Sequence, residues 1–415
     1  MMISNMHRIF NINKYFGEKM SIQLKAKAII AATALTLPFA SHATNGDQLL
    51  GVTALQWGMG GATIAAPQDA ATIFVNPAGL AELGIEEVRF DLSPGFMNPP
   101  REVNGNTSDS NLFFLPSGSV AFKVNDKLYL GLGMAASSGF GVDFSDVVPD
   151  NSMIQPTQGY QQVVTTKGFF KLAPSLAYKV SDKLSLGASL NIGYQSLALS
   201  NPGFTFPQNQ QFGFGITLGG IYHINDAFQL GVSWVSKTNM SDHEFNTADG
   251  KFTMDMDVAQ QLGMGLAYKS SGWLVEADIK WINFSDTMDS VAIGRPAGFV
   301  GTVPPALNFG WDDQIVYSLG VQKQVSEKTQ LRAGLNYGAS PIEAEDVDNN
   351  LGSVAIPELH LSLGATRQLS KKVSGSISYT HAFENELTSS NTTPAGTNTI
   401  KISQNVLYLQ VAYQY

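Results

Sequence analysis

From Glu86 onward the sequence alternates with period two, and this pattern restricts the available folds more than any other feature. In the stretch 184–194 one face reads Leu184, Leu186, Ala188, Leu190, Ile192 and Tyr194. The other face reads Ser185, Gly187, Ser189, Asn191 and Gly193. Successive side chains of a strand point to opposite sides, so such a strand has one greasy and one polar surface. Leu359, Leu361 and Leu363 alternate in the same way with His360, Ser362 and Gly364. Ile315, Tyr317, Leu319 and Val321 alternate with Val316, Ser318, Gly320 and Gln322, and Ser374, Ser376, Ser378 and Thr380 form one polar face.

Short turn signals punctuate the alternation. Val124-Asn125-Asp126-Lys127-Leu128 recurs as Val180-Ser181-Asp182-Lys183-Leu184 and as Ile224-Asn225-Asp226-Ala227-Phe228. Further copies begin at Lys269, Val325 and Leu369, which makes six tight turns. Seven longer loops fall between them, at about 97–111, 143–167, 200–210, 240–250, 286–312, 340–357 and 384–398. Six turns and seven loops are thirteen connections, and hence fourteen strands. Short turns on one side, long loops on the other and an even strand count mark an outer-membrane barrel. A soluble sandwich would need a second layer to bury these apolar faces. A closed barrel in lipid satisfies its backbone without one. The expected fold is therefore all-β, a 14-stranded antiparallel transmembrane β-barrel of a Gram-negative outer membrane, with both termini on the periplasmic side. Its last strand would turn Leu407, Leu409, Val411, Tyr413 and Tyr415 to lipid, a terminal pattern that barrel assembly machinery reads.

The stretch 44–84 breaks the pattern. It carries only Asp47 and Asp69 as charges up to Ala81, clusters Gly58, Gly60 and Gly61, and ends in the turn signal Asn76-Pro77-Ala78-Gly79. Pro67 could open a short helix running to about Phe74. Upstream, Lys25 and Lys27 precede the apolar run 28–40, and Ser41-His42-Ala43 offers a signal-peptidase site. The expected division is a possible upstream extension at 1–19, a signal peptide at 20–43, a hatch inside the lumen at 44–85 and the barrel at 86–415, with Met20 a plausible start. A net charge of -9 argues against nucleic acid as partner. Charged residues are only 14% of the chain, against about 25% in an average soluble domain, which speaks against the charged constriction of a general diffusion porin.

Several motifs resemble the FadL/TodX family of outer-membrane transporters for long-chain fatty acids and aromatic hydrocarbons. They are Thr44-Asn45-Gly46, Gly58-Met59-Gly60-Gly61-Ala62, Pro67-Gln68-Asp69-Ala70 and Asn76-Pro77-Ala78-Gly79. Gly265-Leu266-Ala267-Tyr268, the run 278–286, the run 331–337 and Ser340-Pro341-Ile342 follow in order. The resemblance implies an amino-terminal hatch, whose Asn76, Pro77 and Ala78 pack against an inward kink of the third strand at Ser138, Gly139, Phe140 and Gly141. It implies passive uptake of a hydrophobic small molecule, captured outside and released laterally into the membrane. The family's capture groove uses longer loops than the short one at 200–210 here.

Charged side chains on the lipid face would cost ~2–4 kcal/mol at mid-membrane, so Glu276, Asp278, Lys280 and Arg332 should face the lumen. Lys280 either meets a substrate carboxylate or bridges to Glu276 or Asp278. Arg332, close to a tight turn, reads as structural, and both are candidate ligand contacts. The histidines form no metal-ligand pattern, no nucleophile-elbow motif occurs, and no cofactor is expected. A barrel phospholipase is the remaining alternative. The chain reads as a monomer surrounded by outer-membrane lipid and lipopolysaccharide.

Overall fold

The structure, a computed structural model, describes residues 45–147, 162–391 and 396–415. The expected upstream extension and signal peptide lie outside the described residues, as do positions 148–161 of the expected 143–167 loop. Fourteen strands close into one antiparallel barrel. They are β1 (Val88–Asn98), β2 (Phe113–Lys123), β3 (Leu128–Asp143), β4 in two pieces (Val164–Leu172 and Ser175–Lys179), β5 (Leu184–Asn201), β6 (Phe204–His223) and β7 (Phe228–Val235). The second half is β8 (Gln261–Ser270), β9 (Trp273–Ile282), β10 (Gln314–Ser326), β11 (Thr329–Gly338), β12 (Leu359–Gln368), β13 (Val373–Thr388) and β14 (Thr399–Gln414). Leu92 of β1 faces Gly118 of β2 on one side and Val411 of β14 on the other, which closes the ring and removes its edges. The gap in β4 falls at Ala173-Pro174, where proline has no N–H to give the ladder.

The alternation places side chains as the sequence requires. Leu186, Leu190, Tyr317, Leu361, Leu409 and Val411 are exposed on the outside, while Ser185, Ser189, His360, Ser362, Tyr408 and Gln410 are buried within. Aromatic pairs band the outside near the short turns, with Phe228 and Tyr268 4.9 Å apart and Phe90 and Tyr413 6.4 Å apart. A second band lies toward the long loops, with Phe96 and Phe114 5.5 Å apart and Tyr194 and Phe212 5.4 Å apart. These are the two interfacial girdles of a membrane barrel.

One expected loop is not a loop. Across 200–210 the β5–β6 ladder continues to Asn201↔Phe204, leaving only Pro202-Gly203 at the tip. The Asn201 side chain accepts from the Gly203 and Phe204 amides at 2.8 and 3.0 Å, a local cap that lets the hairpin turn tightly. The extended hairpin joins an apolar cap built by the long loops, where Phe206 stacks on Phe245 at 4.7 Å among Phe252, Phe284, Met256 and Trp311.

Candidate functional site

Inside the ring, the chain from Asn45 to Glu87 forms one α-helix and two 3-10 turns. Thr53 caps the helix Ala54–Gly58 by accepting from the Gln56 amide. The first 3-10 turn, Ala70–Phe74, begins three residues later than Pro67, after Asp69, whose backbone is extended at φ -145° and ψ 169°. In the second, Pro77–Glu82, proline takes the first position and Asn76 accepts from the Ala78 amide at 3.2 Å.

This hatch bonds to strands all round the barrel. The amides of Thr63 and Ile64 donate to Asp278 of β9 at 2.8 and 3.1 Å, and those of Ala65 and Ala66 donate to Glu276 at 2.6 and 3.0 Å. Arg332 of β11 donates to Gln68 at 3.1 and 3.0 Å and to Thr366 at 2.6 Å. Asp91 of β1 accepts from the Ala70 amide at 3.0 Å, from Gln410 at 2.9 Å and from Arg89 at 2.8 Å. Asp69 of the hatch, fully enclosed and facing Asp91, is pushed up to about 6 by its burial and by that second carboxylate. Inward glycines admit the hatch backbone. A Cβ on Gly187 would stand 2.2 Å from the Ala78 nitrogen, and one on Gly219 2.0 Å from the Asn76 side-chain oxygen.

Two expectations change here. Asn76, Pro77 and Ala78 lie against Gly187 of β5 and Gly219 of β6, and Asn76 donates to the carbonyls of Ile64 and Gly220 at 2.8 and 3.2 Å, while the backbone of the third strand's bulge bonds to Asp47 and Leu49 instead. Glu276 and Asp278 hold hatch amides, and neither forms an ion pair with Lys280 among the described residues. We read Arg332, whose guanidinium is taken up by Gln68, Thr366 and Gln330, as an anchor of the hatch.

The third strand is irregular where the sequence places its kink. Ser137 is the extra residue of a bulge between Ala136 and Ser138, and Gly139 has φ 154°. What lies against this bulge is the start of the hatch. The Gly139 amide donates to the Asp47 carbonyl at 2.9 Å, and the Leu49 amide donates to the Ser137 carbonyl at 3.2 Å. Asp47 accepts from the Ser138 hydroxyl at 2.9 Å, from Gln48 at 2.7 Å and from the Lys167 ammonium of β4 at 2.8 Å. Both partners of that ion pair are buried, and the Lys167 ammonium lies 5.4 Å from the centre of the Phe140 ring. Behind it His243, stacked on Phe245, donates from Nε2 to the Gln195 Oε1 at 2.8 Å. Its burial, and then Lys167, hold its pKa down at about 4, so it is neutral at pH 7.

Beside the bulge the backbone pairing of the wall is interrupted. The β2–β3 ladder runs only from Lys123↔Tyr129 to Ser117↔Ala135. Beyond it, Phe113 and Phe114 pair with β1, and Ala136 and Ser138–Asp143 pair with β4, so the two strands no longer pair with each other. The gap closes again at its outer end, where the Asp109 amide donates to the Asp143 carbonyl at 2.9 Å. Leu49, Leu50, Trp57, Phe113, Leu115 and Ala136 form one apolar cluster behind the gap.

Two cavities flank this point. The outer one, about 370 Å³, opens among the loops and is walled by Phe140, Leu199, Phe204, Leu307, Phe309 and Leu351, with Thr165, Asp348 and Asn398 among its polar lining. Asp348 is held there by Ser389 and Asn398 at 2.8 and 2.7 Å. The inner one, about 80 Å³, lies between hatch and wall and is lined by Leu49, Leu50, Ser137, Lys171, Asp278 and Lys280 among others. Lys171 and Lys280 form no ion pair with any described residue. Sequence reading singled out Lys280 but missed Asp47, Lys167 and Lys171. The usable signal was a strand whose alternate positions read Thr165, Lys167, Phe169 and Lys171, two cations on a face that must point inward.

A plugged barrel with two aromatic girdles and an apolar cap on its long loops is an outer-membrane channel protein. A family profile described as outer membrane protein transport protein (OMPP1/FadL/TodX) matches residues 37–415, and the chain belongs to that family. Its members are transport channels of the outer membrane for hydrophobic compounds. Among solved structures, a Pseudomonas aeruginosa FadL homologue is similar with TM-score 0.72 and 17% identity, over 89% of this chain and 99% of that one. The P. putida toluene transporter TodX is similar with TM-score 0.70 and 20% identity, over 88% and 99% of the two chains. The Ralstonia pickettii toluene transporter TbuX gives 0.70 and 19%, over 88% and 98%. Likeness at this identity speaks for the fold. No curated protein sequence matches the chain.

Proposed function

We propose that this protein takes up hydrophobic small molecules by passive diffusion, receiving them in the outer cavity and releasing them sideways into the bilayer through the break between β2 and β3. The observation that carries this reading is the break itself, an unpaired stretch of wall backed by apolar side chains and shaped by the bulge at Ser137 and the bend at Gly139. Energetics favour a lateral outlet. Each CH2 passed from an apolar site to water costs ~0.8 kcal/mol, so dropping a long acyl tail into the periplasm costs on the order of 10 kcal/mol. The bilayer asks no such cost. Ser138, Gly139, Phe140 and Gly141 shape the outlet, and Lys280 with Lys171 offers positive charge to a polar head. A general diffusion porin is the second reading, but the hatch fills the lumen that an aqueous pore would need.

Gly139→Val with Gly141→Val tests the outlet, since a β-branched residue resists the φ at Gly139 and straightens the strand. The double variant is expected to insert normally, to bind substrate at the surface and to stop accumulation of labelled long-chain substrate by cells that depend on this protein. Normal insertion with transport at the parental rate rules out lateral release at this strand.

A further inference from the structure

We propose that the outer cavity is a hydroxyl-selective capture site: Asp348 accepts a hydrogen bond from the hydroxyl of a neutral hydrophobic molecule, such as a phenol or an alcohol, and turns carboxylates away. The inference rests on the uptake reading above and deepens it by naming the cargo that the cavity admits.

Charge at this cavity is scarce and of one sign. Asp348 is the one charged side chain among its described lining residues. The stretches 140–166, 198–206, 303–313, 339–358 and 384–398, which supply the lining, contain no lysine or arginine. The cations on adjoining stretches are spent elsewhere. Lys167, the next inward position of β4 after Thr165, is paired with Asp47 at 2.8 Å, and Arg101 donates from Nε to the Ser353 carbonyl at 3.2 Å without lining the cavity.

The carboxylate is fixed in place and one of its acceptor positions is open. Its Oδ2 accepts from Ser389 at 2.8 Å and from Asn391 at 3.2 Å, and its Oδ1 accepts from Asn398 at 2.7 Å. A carboxylate offers about four lone-pair sites, so Oδ1 keeps one for a ligand. Three donors of the same cavity are already used. The Asn398 amide serves Asp348 itself, the Thr165 hydroxyl donates to the Gly352 carbonyl, and the Ser200 hydroxyl is paired with Thr205 at 3.0 Å. The polar side of the cavity therefore accepts hydrogen bonds and gives few.

This arrangement sorts cargo by its polar end. A hydroxyl gives its proton to Asp348 while the apolar body packs on Phe140, Phe204 and Phe309. A carboxylate brings a second negative charge and finds no cation to pair with. An ether or a hydrocarbon fits the walls but offers Asp348 nothing. An ammonium suits Asp348, yet it would next meet the Lys171 and Lys280 ammonium groups that border the inner cavity. A neutral donor is the polar end that both cavities tolerate.

The test measures initial uptake of labelled probes of one shape at neutral pH by cells carrying the full chain, corrected for cells that lack it. The probes are para-propylphenol, its methyl ether, para-propylbenzoate and para-propylbenzylammonium, and heat-modifiable migration checks insertion of every variant. The parent protein is expected to take up the phenol about tenfold faster than the ether, which has no proton to give, and about tenfold faster than the benzoate. Asp348→Asn should slow the phenol and bring the benzoate up to the level of the ether. Ser200→Lys adds a cation to the cavity wall and leaves the bonds of Asp348 in place, so it should raise benzoate uptake about tenfold. Unchanged ether uptake shows that the cavity is intact in each variant, and Ser200→Lys decides alone if Asp348→Asn loses it. Equal uptake of phenol, ether and benzoate by the parent overturns the inference. So does ammonium uptake above that of the phenol, or a phenol-to-benzoate ratio that neither variant changes. Loss of protein-dependent uptake for every probe overturns the uptake reading itself, and the inference with it.

Discussion

Asp47 and Lys167 are a costly pair to bury. Removing one partner of such a pair typically costs ~3–5 kcal/mol, whereas an apolar pair of the same volume is often neutral or better. Stability alone gives little reason to keep it at the contact between hatch and wall. At the same scale, the hatch depends on places where the wall has no side chain. Gly187→Val would drive a branched side chain into the backbone of Pro77 and Ala78. The outer face of β5 is unaffected, so the variant should still insert. The displaced 3-10 turn should raise the single-channel conductance in planar bilayers above that of the parent. Equal conductance would mean the hatch yields at Ala78 without opening a path.

The elements divide the labour. The barrel strands bond to each other, and the hatch bonds to the barrel through side chains at Glu276, Asp278, Arg332 and Asp91. Deleting 48–81 therefore removes none of the inter-strand ladders. The inward carboxylates and Arg332 lose their partners but gain water, because the emptied lumen floods. The deletion is expected to leave a heat-modifiable barrel with a large conductance, against near zero for the intact chain. Matching conductances would place the segment's weight elsewhere than in closing the lumen. The third strand is the element that couples the two parts, since its bulge bends it out of the β2 ladder and toward Asp47–Leu49.

For the molecule as a whole, closure decides whether it exists at all. Val411 and Tyr413 of β14 pair with Leu92 and Phe90 on one side and with Gly375 and Val373 on the other. Removing 411–415 opens both ladders at the seam and exposes unpaired N–H and C=O groups to lipid, each costing several kcal/mol. The truncated chain should fail to insert and should not show the heat-modifiable shift of a folded barrel on a gel. A truncated protein that still shows that shift would contradict the role assigned to the seam.

The sequence alone determined the strand count, the direction each side chain faces and the membrane setting, because a period of two and the lipid's intolerance of open backbone leave few alternatives. Leu407 to Tyr415 could be assigned face by face from spacing. Near the bend expected at Ser138–Gly141 the third strand has a bulge at Ser137 and a Gly139 φ of 154°. What occupies the lumen against it was not legible. Asn76-Pro77-Ala78 looked like the partner, yet Asp47–Leu49 takes the place, and Asn76 serves glycine-lined β5 and β6 instead. A bridge from Lys280 to its strand neighbours was one of two readings, yet backbone amides of the hatch claim those carboxylates. The Thr63–Asp278 pairing joins residues 215 positions apart, and a strand's periodicity says only that a side chain points inward. Which of the inward groups meet is settled by how the hatch packs inside the closed ring, and only the tertiary structure carries that information.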